Sequence, residues 1–159
     1  MATAIAEPWL LDTNVLLEAT DEARKHHDEA RDLLESPRKL VCPAQVIREY
    51  LVVATRPVPA SGLGLPAADA LANVREIRRS VRLLPEEKPV LQAFLELVER
   101  IRPAGQRIHD AHLVATALVH AVPTIVSLSA RDLTGFGTGL VVVSPAEALR
   151  AKPDRGSRR

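Results

Sequence analysis

Cys42 is the only cysteine in the chain. No internal disulfide can form, no Cys/His set for zinc exists, and a reducing, cytoplasmic setting is expected. Four residues are aromatic, Trp9, Tyr50, Phe94 and Phe136, too few for the stacking platforms of RNA-recognition sheets. No apolar run approaches the roughly 18 residues of a membrane span. The first seven residues lack the basic start and apolar stretch of a signal peptide, so no membrane partner is expected. Neither sign of charge dominates, with 21 Lys and Arg against 20 Asp and Glu and a net charge of +1. That balance hides an asymmetry. Arg150, Lys152, Arg155, Arg158 and Arg159 outweigh Asp154 in the last ten residues, leaving +4 there and −3 over residues 1–149. The tail carries Pro153 and Gly156 and no apolar periodicity, which reads as a basic, disordered end able to meet phosphates.

What is present is a core. Of 159 residues, 47% are hydrophobic, enough for one domain, expected over 1–149 with the tail at 150–159. The apolar run Trp9-Leu10-Leu11 reads as a buried strand of about residues 8–12, and short runs at Leu40–Cys42, Val81–Leu84, Thr124–Val126 and Leu140–Val143 read as further strands, the last two buried. Between them lie helical patterns: one opening at Val15, then His26–Glu35, Pro43–Arg56, Pro66–Ser80, Glu86–Arg102 and Asp110–Ala121. In Pro66–Ser80 the spacing turns Ala68, Leu71, Ala72 and Ile77 inward. Ser144-Pro145-Ala146-Glu147 is a capping box that starts a last helix. Strands alternating with helices imply an α/β fold, a short, mostly parallel sheet of four to five strands with helices on both faces. Ligands in such folds sit beyond the carboxyl ends of the strands.

Acidic residues fall at those ends. Asp12 directly follows the first strand. It suits a mouth of the sheet, and it equally suits capping of the next helix. Glu49 sits in a helix with Val46, Val52 and Val53 on its own face. A carboxylate so bordered is partly desolvated and needs a cation; an ion pair with Arg48 or Arg56 is the plainer outcome. Asp110 opens a helix, where the macrodipole favours the anion. Asp132 follows the fourth strand. Two carboxylates 4 Å apart repel by roughly 4 kcal/mol at an effective dielectric of 20. Several that meet would protonate or separate unless a divalent cation joins them, and oxygen-only ligation selects Mg²⁺ or Mn²⁺.

The segment Leu11-Asp12-Thr13-Asn14-Val15-Leu16-Leu17 resembles the opening motif of PIN-domain ribonucleases. Ile47-Arg48-Glu49-Tyr50 with Thr55-Arg56-Pro57 is similar to the second motif of the VapC-type toxins of bacterial toxin–antitoxin pairs. His109-Asp110-Ala111-His112 and the helix after it resemble the third, and Gly62-Leu63-Gly64-Leu65 a loop of one VapC subgroup. The likeness runs from about residue 8 to residue 148. It implies a single PIN-like domain and a Mg²⁺- or Mn²⁺-dependent endoribonuclease of single-stranded or looped RNA. Such an enzyme leaves a 5′-phosphate and a 3′-hydroxyl, inhibits translation, forms a homodimer and is neutralised by a cognate antitoxin protein. Asp12, Glu49 and Asp110 would hold the ion, directly or through water. Thr13 and Asn14 would orient Asp12 or its water shell, and Ser127 would anchor near Asp12. The fourth position departs from the family: Ser129 stands where many members carry Asp or Asn, and Asp132 takes the place of the Asp that follows. Arg56, Arg107, Arg131 and the tail are the candidates for RNA contact. The antitoxin would lay a helix over Val15, Leu16 and Leu17 or a neighbouring groove and push a basic side chain among the acids.

Two rival functions remain. One is a catalytically inactive PIN-like module that only binds RNA or protein. The other, a phosphatase of the haloacid dehalogenase type, needs a second Asp two residues after Asp12, where Asn14 stands. Plainer roles are expected elsewhere. Of His109 and His112, one would lie near the substrate phosphate and the other would be solvated. His26 and His27 read as surface residues, and Cys42 as a small buried side chain. Arg75, Arg78, Arg79 and Arg82 form a solvated ladder, with Val74, Ile77 and Val81 between them suited to a partner's helix.

Overall fold

The computed structural model describes residues 7–151. The expected tail therefore lies outside the described residues, apart from Arg150 and Ala151. The central strand, β1 (Trp9–Leu11), runs into α1 (Thr13–Thr20) and α2 (His27–Glu35). Then come β2 (Leu40–Pro43), α3 (Ala44–Thr55), a 3₁₀ turn at Val58–Ala60, α4 (Ala67–Ser80) and β3 (Val81–Leu84). The second half holds α5 (Lys88–Ile101), α6 (Arg107–Val119), β4 (Thr124–Val126), α7 (Ala130–Thr134), β5 (Val141–Val143) and α8 (Pro145–Arg150).

All five strands are parallel, in the order β3-β2-β1-β4-β5. The chain builds outward from β1 on one side, then returns and builds outward on the other. Right-handed crossovers in opposite directions deposit their helices on opposite faces. The helices accordingly pack as two groups, α1, α2, α3, α4 and α8 in one, α5, α6 and α7 in the other. The strand order reverses between β1 and β4, and the crevice beyond their carboxyl ends is where such folds bind ligands.

Leu10, Leu11, Val15, Leu16, Val41, Ile125 and Val126 are completely or almost completely buried. Tyr50, wholly buried on α3, shares a 2.9 Å hydrogen bond with Thr20 Oγ1, so its hydroxyl is satisfied within the core. Ser144 and Glu147 form the capping box at α8.

Several expectations are corrected. The inward face of α4 is Ala70, Val74 and Ile77, while Ala68, Leu71 and Ala72 are exposed. With Val81 also buried, that stripe belongs to the core, and nothing of it faces a partner. The edge strand β5 leaves Val141 54% exposed rather than buried. Helix α6 begins at Arg107, one turn before Asp110. His27 is buried, its Nδ1–H donating to Glu18 O at 2.9 Å.

Gly62 is the position where only hydrogen fits. A Cβ there would lie 1.9 Å from Arg56 O. The loop can thus fold back along the end of α3, Leu63 N donating to Val53 O and Leu65 N to Ala54 O. At the opposite end of the sheet from the crevice, Arg38 stacks on Trp9 at 4.3 Å and its guanidinium donates to Ala151 O.

Candidate active site

A cavity of about 720 Å³ opens at the carboxyl ends of the strands. Asp12, Glu49, Asp110 and Asp132 all line it, as do Ser129, Thr13 and Asn14. Four elements deliver the acids: the end of β1, the middle of α3, the first turn of α6 and α7.

Asp12 both caps α1 and faces the cavity. Its Oδ1 accepts from Thr13 N at 2.7 Å, and its Oδ2 accepts from Ser127 Oγ at 2.6 Å and Asn14 Nδ2 at 3.2 Å. Ser127 follows β4, the neighbour of β1, so the clamp closes across the switch point. Asn14 Nδ2 also lies 3.1 Å from Ser127 Oγ and 3.3 Å from Ser129 Oγ, while its Oδ1 accepts from Leu128 N. Burial pushes the Asp12 carboxyl above its ordinary range, against the pull of Ser127 and the Thr13 amide.

Glu49 is held by neither Arg48 nor Arg56. Its Oε2 accepts from Thr13 Oγ1 at 2.9 Å. Its Oε1 accepts from Gln45 Nε2 at 2.5 Å and lies 2.8 Å from His109 Nδ1. Thr13 therefore serves two acids, Asp12 through its backbone and Glu49 through its hydroxyl. Gln45 stands one helical turn before Glu49, an i,i+4 relation legible in the sequence that the motif reading passed over.

Asp110 carries the plainest sign of crowding. Its carboxyl is pushed up to about 6, first by burial, then by the charges of Asp12 and Asp132. Arg107, one turn earlier on α6, pulls the other way. The Arg107 guanidinium packs over Phe136 at 5.2 Å, and its Nε is buried without a hydrogen-bond partner among the described residues.

Arg56 and Arg107 line the cavity, whereas Arg131 on exposed α7 is not part of its wall. His109 sits at the rim, half exposed. His112 is not solvated: it is largely buried, edge-on to Phe94 at 5.5 Å, and its Nε2–H donates to Glu86 Oε1 at 3.1 Å. Val15 and Leu16 are wholly buried and Leu17 nearly so, so a docked helix would meet the neighbouring cavity wall instead. Glu86, Phe94 and Arg48 in that wall were not singled out as site residues by the sequence reading.

Among the described residues no three His, Cys, Asp or Glu side chains stand close enough together to chelate an ion as they are. The acids share a cavity without closing into a ring. Their chemistry still suits a hard cation. The donors are carboxylate oxygens, and Asp110, raised first by burial and then by the charges of Asp12 and Asp132, is a carboxylate that a nearby Mg²⁺ or Mn²⁺ would stabilise as the anion.

Comparison with known proteins bears on the family and the fold. The family model described as PIN domain matches residues 9–130. Ribonuclease VapC48 of Mycobacterium tuberculosis is 32% identical over 133 residues, covering 79% of this chain and 89% of that protein. Among solved structures, VapBC2 from Rickettsia felis, bound to a DNA fragment from its promoter, superposes with a TM-score of 0.64 at 11% identity. That match covers 86% of this chain and 98% of that one. FitAcB from Neisseria gonorrhoeae gives 0.63 at 18% identity, covering 87% and 98%. Mycobacterium tuberculosis VapC20, described as a Sarcin-Ricin loop cleaving toxin, gives 0.55 at 19% identity, covering 74% and 86%. At these identities the structural matches speak to the fold.

Proposed function

The chain belongs to the PIN domain family, and from that premise we propose that it is the endoribonuclease toxin of a toxin–antitoxin pair. It would inhibit translation by hydrolysing phosphodiester bonds in single-stranded or looped RNA. The observation that carries this reading is the meeting of Asp12, Glu49 and Asp110, from three separate elements, at one cavity on the switch point of the sheet. Its resemblance to Ribonuclease VapC48 over most of both chains supports the same conclusion.

Asp12, Glu49 and Asp110 are the proposed ligands of a Mg²⁺ or Mn²⁺ ion, with Asp132 and the Ser129 hydroxyl at the edge of the set. An ion held there would supply an activated water for in-line attack and neutralise charge on the phosphoryl oxygens. The chain's own residues do the rest. Ser127 and Asn14 fix the Asp12 carboxylate. Thr13, Gln45 and His109 fix Glu49. Such bracing of ligands governs metal affinity. Arg56 and Arg107, on the cavity wall, attract the polyanion that acids alone would repel.

The partners of this reading are RNA and a cognate antitoxin, whose basic side chain enters the acidic cavity beside the Val52–Phe94 wall. Homodimerisation, a cytoplasmic location and a single nuclease domain over 1–149 belong to it, with the tail at 150–159 as a separate basic end. Among the described residues no helix is long and apolar enough to cross a membrane.

A second reading, an inactive PIN-like binding module, draws on Ser129 in the fourth position and on the open spacing of the acids. Incubating purified protein and its Asp12→Asn variant with RNA and Mn²⁺ separates the two. The nuclease cuts RNA and Asp12→Asn does not, though it still binds; a parent protein that binds RNA without cutting it is the inactive module. Light scattering of the purified chain checks the dimer, and mixing with the candidate antitoxin must abolish cleavage.

A further inference from the structure

Beside the acids, the cavity is lined by Val52, Val53 and Phe94 and by a further carboxylate, Glu86. Glu86 lies in the short connection between β3 and α5 and is held from two sides. His112 Nε2–H donates to its Oε1 at 3.1 Å, and Arg48 approaches its Oε2 at 3.9 Å. His112 is itself fixed edge-on against Phe94. Both holders line the same cavity as the acids, His112 two residues beyond Asp110 on α6 and Arg48 directly before Glu49. The supported carboxylate and the acidic residues therefore face one cavity.

Resting on the ribonuclease reading, we propose that the cavity wall around Glu86 and Phe94 is a base pocket selecting guanine at the nucleotide adjoining the cleaved bond, with Glu86 as the specificity-determining residue. A carboxylate only accepts hydrogen bonds. With His112 on one oxygen and a weak, exposed contact to Arg48 on the other, Glu86 keeps acceptor capacity on both. Guanine alone offers two adjacent donors on its Watson–Crick edge, N1–H and the N2 amine. Adenine and cytosine each place an acceptor beside their single amine, and uracil flanks N3–H with two carbonyls. Those acceptors would face the Glu86 anion and be repelled. Recognition of an unstacked base by its Watson–Crick edge against apolar and aromatic side chains is the usual way single-stranded RNA is read. Arg48 and Arg56 at the rim suit the flanking phosphates.

The test uses single-stranded oligonucleotides alike except for G, inosine, A, C or U beside the cleaved bond, incubated with the full chain and Mn²⁺. Cleavage should favour G over A, C and U by about tenfold or more, with inosine, which lacks the N2 amine, in between. Glu86→Gln should collapse the ratio of G to the other bases, whatever its overall rate. An unchanged melting temperature of the variant shows that the ratio reports on recognition and not on folding. Cleavage blind to this base, or a G preference that survives Glu86→Gln, overturns the base pocket and leaves the nuclease intact. Should Glu86→Gln weaken neutralisation by the antitoxin while base preference persists, the pocket serves the protein partner and the proposal fails. If no RNA is cut, the nuclease reading falls, and anisotropy of the same oligonucleotides decides the pocket: Glu86-dependent preference for G upholds it, equal binding rejects it.

Discussion

Ser127 Oγ donates to Asp12 Oδ2 at 2.6 Å, joining residues 115 positions apart in the chain. The bond spans the two neighbouring strands β1 and β4 at the point where strand order reverses, and it pins the carboxylate that faces the cavity. Ser127 is itself buried and accepts from Ser129 N at 2.9 Å, so the pin cannot rotate freely.

Ser127→Ala should therefore loosen Asp12 without removing any proposed ligand. Mn²⁺ affinity is expected to fall about 10- to 100-fold, the usual effect of losing a group that braces a metal ligand. Stability should drop by about 1–3 kcal/mol, because a hydrogen bond to a charged, buried acceptor is lost. Calorimetric titration with Mn²⁺ and a urea melt check both numbers.

Asp110 predicts a pH dependence. Its folded carboxyl titrates at about 6, above the ordinary 3.8, so the folded chain holds this proton more tightly than the unfolded chain. Stability from this group is full below about pH 4 and declines as pH rises to about 6. Asp110→Asn removes that loss. The variant should be more stable than the parent at pH 7 by about 1 kcal/mol, once the solvent screening of its half-exposed side chain is allowed for, and no more stable at pH 4. Thermal melts at the two pH values in chelator decide it.

Divalent ions should act on the same group in the opposite sense. Binding must displace the Asp110 proton, so Mn²⁺ affinity and RNA cleavage should both rise as pH increases through about 6. Mn²⁺ should raise the melting temperature of the parent at pH 7, increasingly with the logarithm of its concentration above Kd, and leave the melting temperature of an Asp12→Asn, Asp110→Asn double variant unmoved. Equal shifts in both proteins would show that the ion binds elsewhere.

Asp132 and Ser129 make different predictions for the fourth position. Asp132 adds charge near Asp110, so Asp132→Asn should bring the Asp110 carboxyl down toward its ordinary value and weaken Mn²⁺ binding. Ser129 Oγ accepts from Asn14 and, among the described residues, hydrogen-bonds to no acid, so Ser129→Ala should change Mn²⁺ affinity less than Asp132→Asn does. Carbon-detected NMR titration of the Asp110 carboxyl and Mn²⁺ titration separate them.

Gly62→Ala should be disproportionately harmful for so small a change. The added methyl would meet Arg56 O at 1.9 Å, and the backbone has to move. A loss of at least about 1–3 kcal/mol is expected, with weaker RNA binding because Arg56 on the cavity wall moves too. Chemical denaturation and RNA anisotropy measure the pair of effects.

The parts of the site legible in the sequence are those set by local structure. Asp12 follows an apolar strand and precedes a helix, Glu49 has valines at helical spacing, and Asp110 lies in the first turn of α6. Phase was harder to read where apolar residues occur on every side. Helix α4 carries Ala67, Ala68, Ala70, Leu71 and Ala72; Ile77 was legible as inward, but only packing against the sheet selected Ala70 and Val74 over Ala68, Leu71 and Ala72. The start of α6 lacked a capping side chain that would announce Arg107. Glu86 carried no local signal, because its place depends on where His112 and Arg48 arrive from other helices.

By itself, then, the order of short apolar runs and helical spacings determined a parallel α/β sheet with acids at its carboxyl edge, since strand and helix periodicity are properties of neighbours in the chain. Tertiary structure alone decided how those acids are held. Ser127 reaches Asp12, Thr13 and His109 reach Glu49, and Asp132 crowds Asp110 only because crossovers of opposite direction bring distant segments to one crevice. Hydrogen bonds and charges act over a few ångströms in space, and sequence separation does not encode that distance.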